Sequence, residues 1–163
     1  MPSPTRPASW STPHLSHPRS ASTASERVRL FLTTVTAVTP DSDTPRTYDA
    51  SLLTPTTTSP DPPLEFLSAT IGSPASPLGE VLFSLTPTQA LSNRLQNLHG
   101  GAIATIFDLV TTCLIPGCVS EKGWWEYAGV SRTLNVTYLK GVPMGEEVEV
   151  WGGVLGVGRR MCK

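Results

Sequence analysis

The sequence predicts an α+β domain in which an antiparallel sheet covers one long helix. The first observation is a long apolar segment, from about Gly101 to Ile115, which contains no proline and no further glycine and is followed by Pro116-Gly117. Such a segment is typical of a helix that ends at its proline. The second observation is that four shorter segments around it are rich in β-branched residues and are separated by turn residues. The predicted order is strand, strand, helix, strand, strand.

The four strands are assigned from their periodicity and from the turns between them. LEFLSATIG (64–72) and GEVLFSLT (79–86) are separated by the turn SPASPL, which predicts a hairpin. GVSRTLNVTYL (129–139) alternates with period two and predicts the third strand. EEVEVWGGVLGVG (146–158) follows the turn KGVPMG and predicts the fourth strand. The predicted domain therefore spans residues 64–163.

Residues 1–63 differ from the rest of the chain in composition. They contain eleven of the sixteen prolines and are rich in Ser and Thr, so we expect a disordered region. Within it, residues 26–38 carry apolar side chains at helical spacing, which predicts a short helix. Residues 1–25 contain Arg6 and Arg19 but no acidic residue, a pattern that also resembles a mitochondrial transit peptide. Their five prolines favour disorder instead.

Composition and charge argue against several classes of function and partner. The formal net charge of −1 provides no basic surface for a polyanion, so no nucleic-acid partner is expected. No membrane span of roughly 18 apolar residues and no secretory signal is expected. We expect a soluble, cytoplasmic protein, with a mitochondrial location as the alternative. The three cysteines, Cys113, Cys118 and Cys162, are expected to be reduced, and the first two to pack in the core.

The central helix carries a single carboxylate. Thr105, Asp108, Thr111 and Thr112 fall at i, i+3, i+6 and i+7 and therefore share one face, while apolar residues cover most of the remaining circumference. This polar face either meets water or lines an internal site. In the second case, Asp108 would be placed to act as a general base. The periodicity alone favours the solvent-facing interpretation.

The start of the same helix, His99-Gly100-Gly101, is unusual. No Ser, Thr or Asp adjoins the first turn to cap it unless Asn97 does so, and two glycines leave the first amides without a covering Cβ. Exposed amides at the positive end of a helix dipole are suited to bind an anion or an oxyanion. The alternative is that the glycines only form a tight turn into the helix. The combination with His99 and Asp108 makes the binding interpretation more specific.

Two stretches of the sequence resemble a known family. NRLQNLHGGAIATIFD (93–108), followed by GVSRTLNVTYLKGVPMGEEVEV (129–150), is similar to the hot-dog-fold thioesterase superfamily, specifically the PaaI-like acyl-CoA thioesterases. The shared pattern is an Asn, a short gap, His-Gly-Gly and an acid well inside the central helix. The resemblance covers about residues 64–160 and implies an antiparallel sheet wrapped around the helix, with hydrolysis of acyl-CoA to a free acid and CoA. It implies no cofactor, because coenzyme A is part of the substrate.

The resemblance also implies catalytic roles for five residues. Gly100 would present the backbone N–H that polarises the thioester carbonyl, with His99 and Asn93 orienting the substrate beside it. Asp108 would be the base or the nucleophile. Ser131, at the start of the third predicted strand, would help to hold the water.

Further candidates for substrate binding are Gly101, Arg94, Arg159, Arg160 and Trp125. The arginines could pair with CoA phosphates, although a solvated strand end explains Arg159 and Arg160 equally well. Trp125 lies in an aromatic cluster that either borders an acyl pocket or, as is more common, fills the core. No metal site is expected, because the sequence contains no metal-binding motif.

The spacing of Gly100 and Asp108 bears on the oligomeric state. Eight residues separate them, and at about 1.5 Å per residue this corresponds to about 12 Å along a helix axis. One chain therefore cannot place both groups on one carbonyl carbon. Two antiparallel helices related by a twofold axis can bring Gly100 of one chain beside Asp108 of the other. A homodimer or a dimer of dimers is expected, and the resemblance likewise implies active sites shared across a dimer.

In one respect the sequence departs from the family. Members continue beyond the fourth strand with about two more antiparallel strands, which lie in the sheet between the fourth and the third. Since this sequence ends at Lys163, the resemblance predicts a domain that lacks its last strands, which a truncated gene model would explain. Two alternative functions stay open: release of acyl or polyketide chains from a carrier protein, and binding of acyl thioesters without catalysis.

Overall fold

The computed structural model describes residues 23–36, 52, 63–119, 129–158 and 161–163. Within them lie two helices and three strands: α1 (Ala24–Thr36), β1 (Leu64–Thr70), β2 (Glu80–Leu85), α2 (Gly100–Leu114) and β3 (Val148–Gly153). A 3₁₀ turn at Gln89–Leu91 precedes α2, and a π-helical turn at Ile115–Val119 follows it. The disorder predicted for most of residues 1–63 concerns positions outside the described residues.

The three strands form one antiparallel sheet in the order β1-β2-β3. Val81, Phe83 and Leu85 of the central strand are at most 2% exposed and form the middle of the core. Phe66 of β1 pairs with Phe83, and their rings meet edge to face with centroids 5.3 Å apart. On the other side, Phe83 pairs with Val150 of β3. The predicted hairpin is confirmed, and β3 confirms the fourth predicted strand.

The third predicted strand, residues 129–139, is wrong. These residues join no ladder with the described strands, and all of them except Val136 are exposed. Period-two alternation describes an extended chain, but a strand also needs a neighbour that exchanges backbone hydrogen bonds with it. The segment is extended without such a neighbour and instead runs past α2, to which two of its side chains bind.

α2 packs one face against the sheet. Its buried side chains are Ala102, Ile106, Leu109, Val110, Cys113 and Leu114. Gly152 of β3 allows a close approach, since an added Cβ would lie 3.4 Å from Val110 Cγ1. Phe107, by contrast, is 38% exposed. The helix is therefore less enclosed than its nearly continuous apolar sequence predicts.

The α-helix ends at Leu114, within a residue of the predicted end, but the helical path continues past it. Pro116-Gly117 does not stop the helical path, because Ile115–Val119 forms a π-helical turn. Pro116 has no N–H to donate to an α-helical bond, and the wider turn accommodates it. A Cβ at Gly117 would come within 2.6 Å of Val28 Cγ2, and Arg27 donates from Nε and Nη2 to the Gly117 carbonyl at 3.0 and 2.6 Å. This end of the helix is thus covered by α1.

α1 confirms the predicted short helix and begins with a capping box. The Thr23 hydroxyl accepts from the Glu26 N–H at 3.2 Å, and the Glu26 carboxylate accepts from the Thr23 N–H at 2.9 Å. Ser25 Oγ bonds both the N–H and the carbonyl of Ala69 in β1, at 2.8 and 3.0 Å. Apolar side chains of α1 join the same core as the sheet and α2. The packed unit therefore begins before the boundary predicted at residue 64.

One helical stretch tests the expectation that the chain contains no membrane-spanning segment. Gly100–Cys118, which comprises α2 and most of its π turn, is 19 residues long and apolar enough to cross a bilayer by length and composition. The expectation that no run meets this criterion is therefore wrong. Half of the stretch is buried inside the fold, and the central helix of a globular core passes the same test. Length and composition do not by themselves make this helix a membrane span.

Candidate active site

The start of α2 is capped by a histidine. His99 is the N-cap residue, with φ −67° and ψ 136°, and its Nδ1 accepts from the Gly101 N–H at 3.0 Å. The sequence offers no adjacent Ser, Thr or Asp for this cap, and the imidazole of His99, rather than Asn97, takes that place. Since Nδ1 is an acceptor, the neutral ring carries its proton on Nε2 and can donate from there. The Gly101 amide is therefore already bonded within the protein, and the predicted substrate contact of Gly101 stays a prediction.

Gly100 provides a free donor at the same helix start. Its N–H makes no hydrogen bond to any residue that the structure describes, whereas its carbonyl accepts from the Tyr138 hydroxyl at 2.9 Å. A Cβ added to Gly100 would lie 3.4 Å from Tyr138 Cζ, so the ring lies close to this helix start. An unpartnered N–H at the positive end of a helix is suited to stabilise an oxyanion. The predicted role of Gly100 fits this geometry and stays a prediction.

The loop before α2 fixes the position of His99. The His99 N–H donates to the Leu91 carbonyl at 2.8 Å, so the two ends of the loop are joined. The Leu98 N–H donates to the Val142 carbonyl, also at 2.8 Å. These bonds hold His99 between the 3₁₀ turn and the chain that leads into β3.

Asn93 has a structural task in this loop. Its Oδ1 accepts from the N–H groups of Leu95 and Asn97 at 2.8 and 3.3 Å, and its own N–H donates to the Asn97 carbonyl at 2.7 Å. These bonds stabilise a tight turn in which Gln96 has a positive φ of 58°. Any substrate contact by Asn93 would have to come from Nδ2, since Oδ1 is committed to the turn.

Asp108 lies about two turns after Gly100 on α2. It is half-buried, and Ser131 Oγ donates directly to its Oδ1. The neighbouring hydroxyls of Thr105 and Thr111 bond to backbone carbonyls of the helix instead. The carboxylate therefore faces the extended segment, in neither an enclosed apolar pocket nor plain solvent. Ser131, predicted to help hold a water, contacts the carboxylate itself.

Tyr138 was not predicted as part of this site. Ser131 and Tyr138 are seven residues apart, so strict alternation places them on opposite faces of a strand. In the structure both side chains reach α2, one at Asp108 and the other at Gly100. Extended chain without a sheet partner can twist enough to allow this, and the sequence carries no local signal for it.

The other predicted substrate contacts are less defined. Arg94 is exposed in the loop before α2. Arg159, Arg160 and Trp125 lie outside the described residues, so their roles stay predictions. Within the described ranges, no group of three or more His, Cys, Asp or Glu side chains is placed to hold a metal ion.

An apolar groove of about 350 Å³ separates β3 from the end of the extended segment. Its lining includes Ile103 and Phe107 of α2, Val148 and Trp151 of β3, and Tyr138. Its volume is at the lower end of the range for small-molecule pockets, about 300–1,000 Å³.

The three cysteines are free. Cys113 and Cys118 are buried, which confirms their predicted place in the core, and Cys162 is half-buried. Burial raises the pKa of the Cys162 thiol, and a hydrogen bond with the Lys163 backbone opposes the shift. For Cys162, this direction is opposite to the lowered pKa that marks a reactive thiol.

The described fold is α+β, with an antiparallel sheet packed against one long helix that begins with His-Gly-Gly, and it is similar to the hot-dog thioesterases. Residues 95–163 match the family model of the Thioesterase superfamily. This match includes α2, the extended segment and β3. The predicted resemblance to the hot-dog thioesterases is confirmed.

Individual relatives agree with this class. The crystal structure of zebra fish thioesterase superfamily member 2 is 26% identical with a TM-score of 0.56, and the similarity covers 81% of this chain and 75% of that one. Acyl-coenzyme A thioesterase 13 of Homo sapiens is 29% identical over 84 residues, which are 52% of this chain and 56% of that protein. The Mus musculus protein of that name is 33% identical over 71 residues, 44% of this chain and 47% of its own length. The chain spans about half the length of the curated relatives it matches.

Proposed function

We propose that this protein hydrolyses acyl-CoA thioesters to a free acid and CoA. The observation that carries the proposal is the N–H of Gly100 at the positive end of α2, which no described residue accepts, with Asp108 on the same helix. The similarity to proteins named acyl-coenzyme A thioesterase 13 supports the substrate class. The reaction requires water and no cofactor.

In the proposed reaction, the Gly100 N–H donates to the thioester carbonyl oxygen. Negative charge develops on that oxygen as water attacks the carbonyl carbon, so a fixed donor there stabilises the transition state more than the ground state. Asp108 takes a proton from the attacking water, with its carboxylate oriented by Ser131. The C–S bond then breaks, and the proton passes to the departing CoA sulfur. His99 can donate to the substrate from Nε2 because its Nδ1 is committed to the cap.

The proposal includes a homodimer with shared sites. Gly100 and Asp108 are eight residues apart on one helix, a separation of about 12 Å along the axis. Both groups can act on one carbonyl carbon only if a second copy supplies one of them. An isologous pair of chains would form two equivalent sites.

The activity is tested by release of the CoA thiol from short- and medium-chain acyl-CoA, followed with Ellman's reagent. Asp108→Asn is expected to lower kcat by about 10²- to 10⁴-fold, the scale of a positioned base. Glu65→Gln, the same change at an exposed position on β1, is the matched control and should retain activity. A folded Asp108→Asn chain with full activity contradicts the mechanism. Activity confined to an acylated carrier protein, or absent with both substrates, contradicts the acyl-CoA proposal.

Shared sites are tested by mixing two inactive chains. Gly100→Pro removes the donor N–H, and proline is well tolerated at the first helical position after an extended residue such as His99. If the sites are shared, a heterodimer of Gly100→Pro and Asp108→Asn chains contains one intact site and one doubly altered site. Random pairing then restores about a quarter of the wild-type activity per chain. No recovery after subunit exchange contradicts the shared site.

A further inference from the structure

One peptide group at the start of α2 is held at both ends. The carbonyl of the Gly100–Gly101 peptide accepts from the Tyr138 hydroxyl at 2.9 Å. The N–H of the same peptide donates to His99 Nδ1 at 3.0 Å. One bond comes from the N-cap residue and the other from a residue 38 positions along the chain.

Both bonds act at the first turn of the helix, on two residues that have no side chain to restrict the backbone. Gly100 and Gly101 have no Cβ, so their φ and ψ angles are the least restricted in the helix. The Gly100–Gly101 peptide shares its Cα with the peptide that carries the Gly100 N–H. Rotation of the first peptide therefore changes the direction in which the second donates.

We propose that Tyr138 is a positioning residue for the reaction: together with His99 it fixes the Gly100–Gly101 peptide and thereby aims the Gly100 N–H at the thioester oxygen. This inference rests on the proposed function. Tyr138 acts through the backbone of Gly100 and donates its hydroxyl proton to the protein, so it is distinct from the groups that touch the reacting atoms. Its ring lies close to Gly100, where an added Cβ would be 3.4 Å from Cζ, and its hydroxyl bonds the Gly100 carbonyl directly.

The same segment also sets the position of the carboxylate. Ser131 donates to Asp108 from the beginning of residues 129–139, and Tyr138 donates to Gly100 from their end. A segment without a sheet partner among the described strands is thus bound to α2 at the two places where the chemistry needs fixed geometry. In a dimer with shared sites, each segment would contribute to both of them.

The kinetic test is Tyr138→Phe, which keeps the ring and removes the hydroxyl. The expected result is a fall in kcat of about 3- to 10-fold, the scale of one neutral hydrogen bond, with KM within about twofold of wild type. A fall in kcat without a change in KM marks an interaction that matters in the transition state. The control is Thr33→Val in α1, which removes a hydroxyl bonded to the Arg29 carbonyl at 2.9 Å and should leave kcat unchanged.

A second measurement does not depend on activity. Amide hydrogen exchange at Gly101 is expected to rise about 3- to 10-fold in Tyr138→Phe, because the loosened peptide exposes its N–H more often. Gly152, buried in β3, should exchange at the same rate in both chains.

The outcomes separate the two proposals. If the wild-type chain hydrolyses acyl-CoA and Tyr138→Phe retains its kcat, the positioning role is overturned while the proposed function stands. If the wild-type chain does not hydrolyse acyl-CoA, the proposed function is overturned, and the exchange rate at Gly101 then decides whether Tyr138 holds the peptide. If the Gly101 amide exchanges at the same rate in Tyr138→Phe and in wild type, Tyr138 does not fix the Gly100–Gly101 peptide.

Discussion

The side of α2 that faces the sheet is stabilised by burial, whereas the side that faces residues 129–139 is held by two side-chain hydrogen bonds. On the first side, β2 presents fully buried side chains to the helix. On the second side, nearly every residue of the segment is exposed, and the contacts are made at Asp108 and Gly100. Apolar burial is non-directional, while hydrogen bonds fix geometry. Stability and candidate chemistry are thus placed on different sides of the same helix.

The largest expected effect tests the buried side. Phe83→Ala removes a side chain with no exposed surface from the central strand, and we expect a loss of about 3–5 kcal/mol in the free energy of unfolding. Leu139→Ala, at a residue 92% exposed on the segment, should change it by less than about 0.5 kcal/mol. Both are measured by urea unfolding. Equal losses at the two positions would mean that the segment is packed as firmly as the sheet.

The next prediction concerns the closed end of α2. Arg27 is 4% exposed and donates two hydrogen bonds to the Gly117 carbonyl, so Arg27→Met should lower the free energy of unfolding by about 1.5–3 kcal/mol. The neighbouring exposed Arg29 lies 5.1 Å over the Phe66 ring, and Arg29→Met should cost only about 0.5–1 kcal/mol. The same unfolding assay compares them. A larger loss at Arg29 would contradict the role given to the two Arg27 hydrogen bonds at the helix end.

Two serines, one on each side of α2, test whether the two sides have different roles. Ser131→Ala should lower kcat about 10-fold with little change in stability, since an exposed hydrogen bond to a carboxylate orients Asp108. Ser84→Ala removes the same kind of bond, from Ser84 Oγ to Glu147 at 2.7 Å, on the sheet side. It should lower the free energy of unfolding by about 1 kcal/mol and leave kcat unchanged. The reverse pattern would contradict the division of roles.

The smallest expected effect is the titration of Cys162. Because burial raises its pKa, the neutral thiol is favoured in the folded chain. This contribution to stability is fully present below the unfolded pKa and is lost as the pH rises through the folded pKa. Alkylation of Cys162 against pH should therefore have a higher midpoint in the folded chain than in denaturant, with Cys162→Ser as the assignment control. An equal or lower midpoint would show that Cys162 is not shielded in solution.

Several elements could be predicted because their signals are local. The hairpin follows from alternation on both sides of a turn, and α2 follows from a long apolar run. The capping box of α1 was missed although Thr23 and Glu26 have the required spacing. The histidine cap was missed for a different reason. Whether an imidazole accepts from the Gly101 amide depends on the backbone angles of His99 and on the orientation of its ring, which composition does not specify.

The sequence by itself determined α2, the glycines at its start and the position of Asp108 eight residues after Gly100, because these depend only on helical periodicity. Only the tertiary structure decided that Ser131 reaches Asp108 across 23 residues and that Tyr138 reaches Gly100 across 38. It also decided that residues 129–139 remain outside the described sheet. The physical reason is that contacts between distant residues depend on the path of the whole chain and on which strand edges find partners, and neither is encoded in a local pattern.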